Sequence, residues 1–402
     1  GKRTSPAAWI GVLIAGSCIV SVTLGIRQVF GLFLTPISND LGTGLQAFSF
    51  AIAVQNLVWG LSSPLFGAVA DRIGAWKVAA LGAIIYSCGL LLTALWVTQA
   101  GVFMGQILVG IGMGSAGISI AIGAVALTVP PEKRSLAFGM VTSFGSFGQF
   151  ALLPITQLLM GGYGWQMALV MLSVLTSSMV AVAFAMRTDS PGTTTAAIAA
   201  QTTGAALRAA VHSRDYLLLT TGFFVCGLQL VFITTHLPVY LDDAGIAPHI
   251  ASWSLALVGL FNILGAFVCG WLGGILSKRK TLATVYLLRS LIIMAFVMTP
   301  PSAASALIFG AALGLLWLGT IPLTSGLIVV FFGAKHFSML YGFVFLSHQL
   351  GSFVGAWLGG YLYDITANYE VMWWLNVGAG LFAFTVNWLI REAPVAPKTA
   401  AA

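Results

Sequence analysis

Three basic side chains stand where a bilayer would make them costly. Arg27 and Arg289 fall within long apolar stretches, and His348 sits in a third. All ten acidic residues lie elsewhere: Asp40, Asp71, Glu132, Asp189, Asp215, Asp242, Asp243, Asp364, Glu370 and Glu392 occupy loops or the ends of apolar runs. An arginine at the centre of a membrane helix costs about 2.5–3.5 kcal/mol on insertion scales. With no carboxylate in the same runs to pair with it, the economical partner is an anion that arrives from solution. A guanidinium offers a planar fork of donors that matches a carboxylate. A site for cations would be built the other way, from buried Asp or Glu.

Arg27 lies past the middle of its run, roughly 6 Å toward the outer side at about 1.5 Å per residue. Gly25 and Gly31 flank it and permit close approach or bending. Gln28 follows it. The competing reading is an arginine that binds backbone carbonyls or snorkels outward. Arg289 either meets the anion, pairs with a loop acid, or holds the C-terminal part together. His348, next to Gln349, could donate to an anion or carry a proton, because an unperturbed imidazole titrates near about 6.5. A neutral packing histidine fits equally. His236, near the end of its run, reads as a gate or structural residue. Gln55, Asn56, Gln149, Gln229, Asn262, Trp317 and Thr324 could complete a binding site. Each could equally be an interhelical hydrogen bond, worth about 0.6 kcal/mol.

The elements that must position these groups follow from composition. Of 402 residues, 59% are hydrophobic and 7% charged, against about 25% charged in soluble domains. A soluble enzyme, a nucleic-acid module and a disordered chain are excluded. The net charge of +7 sits in short clusters between apolar runs, the pattern that sets membrane orientation. Twelve runs are predicted to span: 9–36, 46–68, 78–97, 101–128, 135–160, 165–186, 215–240, 249–276, 281–299, 302–331, 337–363 and 369–390. They are too long and too uniformly apolar for barrel strands, so helices are expected. With the N-terminus in the cytoplasm, Lys2, Arg3, Arg72, Lys77, Lys133, Arg134, Arg187, Arg208, Arg214, Lys278, Arg279, Lys280, Lys335, Arg391 and Lys398 all fall on the cytoplasmic side. The predicted outer loops hold Asp40, Asp242, Asp243, Asp364 and Glu370 and no Lys or Arg. This predicts an even number of spans with both termini cytoplasmic. Cys18, Cys88, Cys226 and Cys269 all lie in apolar runs, so no disulfide and no metal site are expected.

The polar stretch 187–214 divides the chain into residues 1–186 and 215–402, each expected to form a six-helix bundle. The halves look alike. Gly67–Lys77 (GAVADRIGAWK) aligns with Gly270–Lys280 (GWLGGILSKRK) at an offset of 203, and the same offset relates Gly139 to Gly342 and Gly148 to Gly351. A repeat of two bundles points to a transport fold with its site at the repeat interface.

The motif Gly67-x-x-x-Asp71-Arg72-x-Gly74-x-x-Lys77, after the second run, resembles the cytoplasmic loop 2–3 signature of the major facilitator superfamily. Ser277-Lys278-Arg279-Lys280 resembles its degenerate second copy. The resemblance covers the whole chain. It implies an all-α membrane fold of twelve helices in two pseudo-symmetric bundles, with Asp71 and Arg72 helping to lock the halves in the outward-open state. A plain topogenic cluster is the alternative. Within the superfamily, GIRQVFGLFLTPIS in the first run and SHQLGSFVGAWLGG in the eleventh resemble bacterial members of the monocarboxylate and oxalate/formate transporter group. Where monocarboxylate transporters carry an Asp and Arg pair in helix 8, this chain offers Asn262 and no Arg. Where oxalate exchangers carry a Lys in helix 11, it has His348 and Gln349. Drug/proton antiporters tend to carry an Arg in helix 4, where Gln106 stands here. The glycine-rich Gly105–Gly117 (GQILVGIGMGSAG) follows no strand and lacks a Lys, so it reads as close helix packing and not as a nucleotide loop.

These readings converge on an expectation: a secondary transporter, not an enzyme, that moves a small organic anion by alternating access. The anion is a monocarboxylate or short dicarboxylate, moved by proton symport or by exchange. The substrate-binding set is Arg27, Gln28, Asn56, Gln149, Gln229, Asn262, Arg289, Trp317, His348 and Gln349. The gating set is Gly67, Asp71, Arg72, Gly74 and Lys77. No cofactor and no nucleic acid are expected. A monomer in the inner (cytoplasmic) membrane is. Efflux of hydrophobic or amphiphilic compounds is the alternative, and a ligand-sensing receptor a third.

Overall fold

A computed structural model describes residues 6–42, 45–187 and 196–395. Lys2, Arg3 and Lys398, used above for orientation, and the acidic Asp189 lie outside the described residues. The apolar runs are helical because hydrocarbon offers no partner for backbone N–H and C=O groups, and a helix satisfies them internally. In chain order the helices are α1 (Pro6–Asp40), α2 (Leu45–Ile73), α3 (Ala75–Leu95), α4 (Gln99–Ser115), α5 (Ile118–Thr128), α6 (Arg134–Phe184), α7 (Ala196–Val211), α8 (Arg214–Asp243), α9 (Pro248–Ile275), α10 (Lys278–Met298), α11 (Ala303–Gly314), α12 (Thr320–Phe332), α13 (Phe337–Thr366) and α14 (Glu370–Trp388). Ser/Thr caps open several of them: Thr98, Ser213, Ser277 and Ser302 each accept a backbone N–H of the first turn.

Nine helical segments among the described residues are long and apolar enough to cross a bilayer. One of them, Pro131–Phe184, has 54 residues, about 80 Å of helix at 1.5 Å per residue. Its backbone leaves helical geometry at Gly164 (φ 80°, ψ 166°), a conformation that glycine tolerates best. Helix α7 lies inside the stretch read as a polar linker. Its alanines, the best helix formers, carry the turn-prone residues between them.

Helices up to α6 pack chiefly on one another, and so do those from α8 onward. The two groups meet along two seams, α2 on α13 and α6 on α9. The sequence repeat maps one seam onto the other. A Cβ on Gly67 would strike the Ser338 carbonyl, and one on Gly270 would strike that of Ser135; both members of the pair are displaced by the same 203 residues. Likewise Gly148 meets the Ser21 carbonyl and Gly351 that of Phe224. Small residues at these places let backbones touch, which supplies the packing that helices in lipid otherwise lack.

Two membrane-depth interruptions also obey the repeat. Helix α4 breaks from α5 at Ala116–Gly117, and α11 breaks from α12 at 315–319. Each break exposes helix-end carbonyls that need donors. Thr23 Oγ1 donates to the Ala116 carbonyl at 3.1 Å. At the second break the donor is Arg289.

Candidate functional site

Arg27 is half-buried on α1. Its Nε and Nη2 donate to Asn56 Oδ1 on α2, at 3.3 and 3.2 Å. Asn56 Nδ2 donates to the Ile52 carbonyl at 2.9 Å, which turns its oxygen toward the guanidinium. One turn on, the Trp59 ring lies 5.2 Å beneath the guanidinium carbon, a cation–π arrangement. Trp59 in turn meets Phe345 of α13, with ring centroids 4.7 Å apart. Phe345 stacks on His348 at 5.6 Å, and Phe223 of α8 flanks the same imidazole at 5.0 Å. His348 Nδ1 faces Gln349 Oε1 at 3.2 Å, an acceptor, so Nδ1 carries the proton. Gln349 Nε2 closes the circuit by donating to the Asn56 carbonyl at 3.1 Å. Arg27, Asn56, Trp59, Phe345, His348 and Gln349 thus form one cluster that straddles the α2–α13 seam.

The charge in this cluster is uncompensated. The ion pairs among the described residues are Lys278–Glu392 at 3.7 Å and Arg391–Asp215 at 3.3 Å, and neither involves Arg27. The Nη1 donors of Arg27 have no protein acceptor among the described residues, and the neighbouring Gln28 is exposed. Such an arrangement can offer charge-assisted hydrogen bonds to an anion, beside an aromatic floor.

The other expected residues are placed differently. Arg289 is 1% exposed and its donors are spent. Nε and Nη2 reach the Leu316 carbonyl at 3.1 and 2.7 Å, Nη2 also reaches the Trp317 carbonyl, and Nη1 reaches Cys226 Sγ at 3.4 Å. It closes the end of α11, where a cation suits the negative pole of the helix. Trp317 contributes its backbone carbonyl there, and its side chain is buried. Gln229 donates to the Asn376 carbonyl at 3.0 Å, an interhelical bond inside the second group. Asn262 belongs to the other seam: Nδ2 donates to Ser146 Oγ at 2.6 Å and Oδ1 accepts from Leu318 N at 2.9 Å. Gln149 is half-buried on α6. Gln55 donates to Met113 Sδ at 3.7 Å, and Thr324 is buried without a hydroxyl partner among the described residues. His236 bonds the Tyr369 hydroxyl at 3.0 Å and the Ala356 carbonyl at 2.9 Å, a structural tie.

Sequence reasoning missed Trp59, Phe345 and Cys226. A signal existed for two of them. Trp59 is three residues after Asn56, and Phe345 three before His348, so each shares a helix face with a residue already singled out.

At the basic ends of the helices, Asp71 joins the seam. Its Oδ1 and Oδ2 accept the Ser338 and Met339 N–H groups at 3.2 and 3.0 Å, the first free donors of α13. Gly67 lets the backbones meet one turn away. Gly74, at φ 101°, forms the single-residue turn between α2 and α3. Arg72 and Lys77 are exposed; Lys77 Nζ and the Arg187 guanidinium lie 5.7 and 5.0 Å from the Trp76 ring. Arg72 makes no ion pair with Asp71. It faces His336, in the turn before α13; burial there, with Lys335 and Arg72 nearby, holds the imidazole below the usual histidine range.

A bilayer-spanning helical repeat, closed on itself along two seams with a cationic cluster at one of them, defines a membrane transporter. The sequence profile of the Major Facilitator Superfamily matches residues 16–319 and again 241–402, and the chain belongs to that superfamily. It is 24% identical over 379 residues to the uncharacterized MFS-type transporter YcxA of Bacillus subtilis, covering 91% of each chain. It is also 24% identical over 406 residues to monocarboxylate transporter 13 of Rattus norvegicus, covering 98% of this chain and 91% of the relative. The fold matches that of the E. coli fucose:proton symporter FucP with a TM-score of 0.76 at 15% identity, over 96% of this chain and 99% of the other. The protein is therefore a multi-pass secondary transporter for a small molecule and not an enzyme.

Proposed function

We propose that this transporter carries a small organic anion, a monocarboxylate or short dicarboxylate, bound by Arg27 with Asn56 and His348. The observation that carries the reading is the half-buried, carboxylate-free Arg27 with donors to spare at the α2–α13 seam. An anion there would neutralise charge that no described residue balances. It would also bind both sides of the seam at once, which couples occupancy to the rocking of one half against the other. Similarity to a protein named a monocarboxylate transporter agrees with this substrate class. The broader reading has twelve crossings in bundles 1–186 and 215–402, joined by 187–214, with both termini on the cytoplasmic, basic face. Asp71 holds that face shut in the outward-open state. The transporter works as a monomer in the inner membrane, by proton symport or anion exchange.

Counterflow in proteoliposomes tests the reading. Labelled lactate, pyruvate, formate and oxalate are offered separately at internal pH 6 and 7.5. Accumulation that Arg27→Gln abolishes is expected. Equal accumulation by folded Arg27→Gln overturns the site, and flux of hydrophobic cations without anion competition overturns the substrate class.

A further inference from the structure

A cavity of about 600 Å³ opens where α8 and α13 end, at the far end of both helices from Asp71. That size suits a small-molecule site. Its walls come from α8, α10, α13, α14 and the turn between the last two, and none of its residues belongs to the Arg27 cluster. Aromatic side chains make up much of the lining. Tyr240 and Trp373 meet edge to face at 5.2 Å, Tyr363 and Tyr369 stack at 4.6 Å, and Trp374 is exposed. Two exposed carboxylates, Asp243 and Glu370, join them. Asp243 Oδ1 accepts the Tyr363 hydroxyl at 3.2 Å. Neither carboxylate is in an ion pair among the described residues. Residues 215–277, 290–334 and 336–390, which supply the walls, contain no Lys or Arg. Trp373 is 1% exposed, and its indole N–H has no hydrogen-bond partner among the described residues.

The internal repeat shows what is particular to this place. At the offset of 203, Asp40 corresponds to Asp243, Gly164 to Ala367 and Trp165 to Asn368. The backbone keeps that register, since Gly164 and Ala367 both have positive φ, 80° and 52°. In the first half the Trp165 indole donates to Asp40 Oδ2 at 2.8 Å. In the second, Asn368 spends its side chain on its own turn: Oδ1 accepts the Glu370 N–H and Nδ2 donates to the Thr366 carbonyl, each at 3.0 Å. Asp243 therefore borders a cavity where Asp40 borders an indole. Aromatic faces and carboxylates together, with no side-chain cation to compete, are the chemistry that holds an organic ammonium. The unpartnered indole N–H in the same wall suits an acceptor on the ligand. We propose that this cavity binds a small organic ammonium that carries a hydrogen-bond acceptor, as an amino alcohol does, either free in solution or as a lipid headgroup. The site stands independently of the anion site proposed above.

Binding of labelled choline to the full-length protein in phosphatidylglycerol nanodiscs, measured against empty discs, tests the proposal. Saturable binding is expected, and the neutral carbon analogue of choline is expected not to compete. Asn368→Trp, which copies the indole of the first half, is expected to abolish binding. Asp243→Asn and Glu370→Gln are each expected to weaken it roughly two- to fivefold. No saturable binding, equal competition by the neutral analogue, or unchanged binding in the variants overturns the proposal. Should Asn368→Trp fail to fold, the two variants at exposed carboxylates decide alone. Phosphatidylcholine discs separate the two sources: binding retained there assigns the site to an amine from solution, and binding lost there assigns it to a headgroup, both in support of ammonium recognition. Choline binding is read without transport, so failure of the anion reading is scored separately by counterflow.

Discussion

Two arginines sit at membrane depth in this chain, and their surroundings make them different objects. Arg289 is closed off by backbone carbonyls and a sulfur, whereas Arg27 keeps donors free beside an exposed Gln28. Leaving a buried acceptor unsatisfied costs about 1–3 kcal/mol, and Arg289 serves two carbonyls. Arg289→Gln is therefore expected to lower the melting temperature of the detergent-solubilised protein markedly, while the folded fraction keeps its anion affinity. Arg27→Gln is expected to do the reverse. Hydrogen bonds to a charged group are worth about 1.5–3 kcal/mol, so anion affinity falls roughly 10- to 100-fold with little change in melting. Paired melting and binding curves check both. The sequence treats the two arginines alike, because the acceptors of Arg289 are carbonyls 27 and 28 residues further along, and a carbonyl has no residue type to read. Arg27 was legible because the absence of acids is a property of the whole list of residues.

At the scale of elements, the outlines of the helices follow apolar run length closely, while their interruptions do not. The run 302–331 is uniform to the eye, yet α11 and α12 are separate helices, because Arg289 can satisfy the carbonyls released at 315–319. The start of α13 is the element with a pH response. His336 is held below the usual histidine range while Arg72, from α2, faces it across the seam. The closed seam therefore binds fewer protons than an opened one, in which Arg72 has moved away. Its stability is intact above the ordinary histidine range, near pH 6.5, and falls as pH drops through and below it. Acidifying the basic face from pH 7.5 to 5.5 is expected to open the wild type more than it opens His336→Gln, the difference between the two being the histidine's share. Distances between spin labels on the α2–α3 and α12–α13 turns check this.

Across the whole molecule, the repeat explains why two seams exist and where they differ. Asp71 lies 203 residues before Gly274, so at that register the second seam has a glycine where the first has a carboxylate. Its Cβ would sit in ordinary contact, 3.8 Å from Ser135 Cβ. Gly274→Asp is expected to add a second latch and lower the open fraction of the basic face, read with the same labels. An anion at the N-terminus of a helix is worth about 0.3–1 kcal/mol, so the equilibrium should move roughly two- to fivefold. The repeat was legible from glycines alone, since glycine marks close backbone approach on either copy. The distant acceptors of Arg289 bear equally on how the chain is made. Helix α10 leaves the ribosome carrying a cation whose carbonyl partners have not yet been synthesised. Alone in lipid it bears the full cost of that charge, so it must wait beside the insertion machinery until residues 316 and 317 follow. A nascent chain arrested before residue 303 should hold α10 poorly inserted, and one extended past residue 332 should hold it firmly, as scored by glycosylation of engineered acceptor sites.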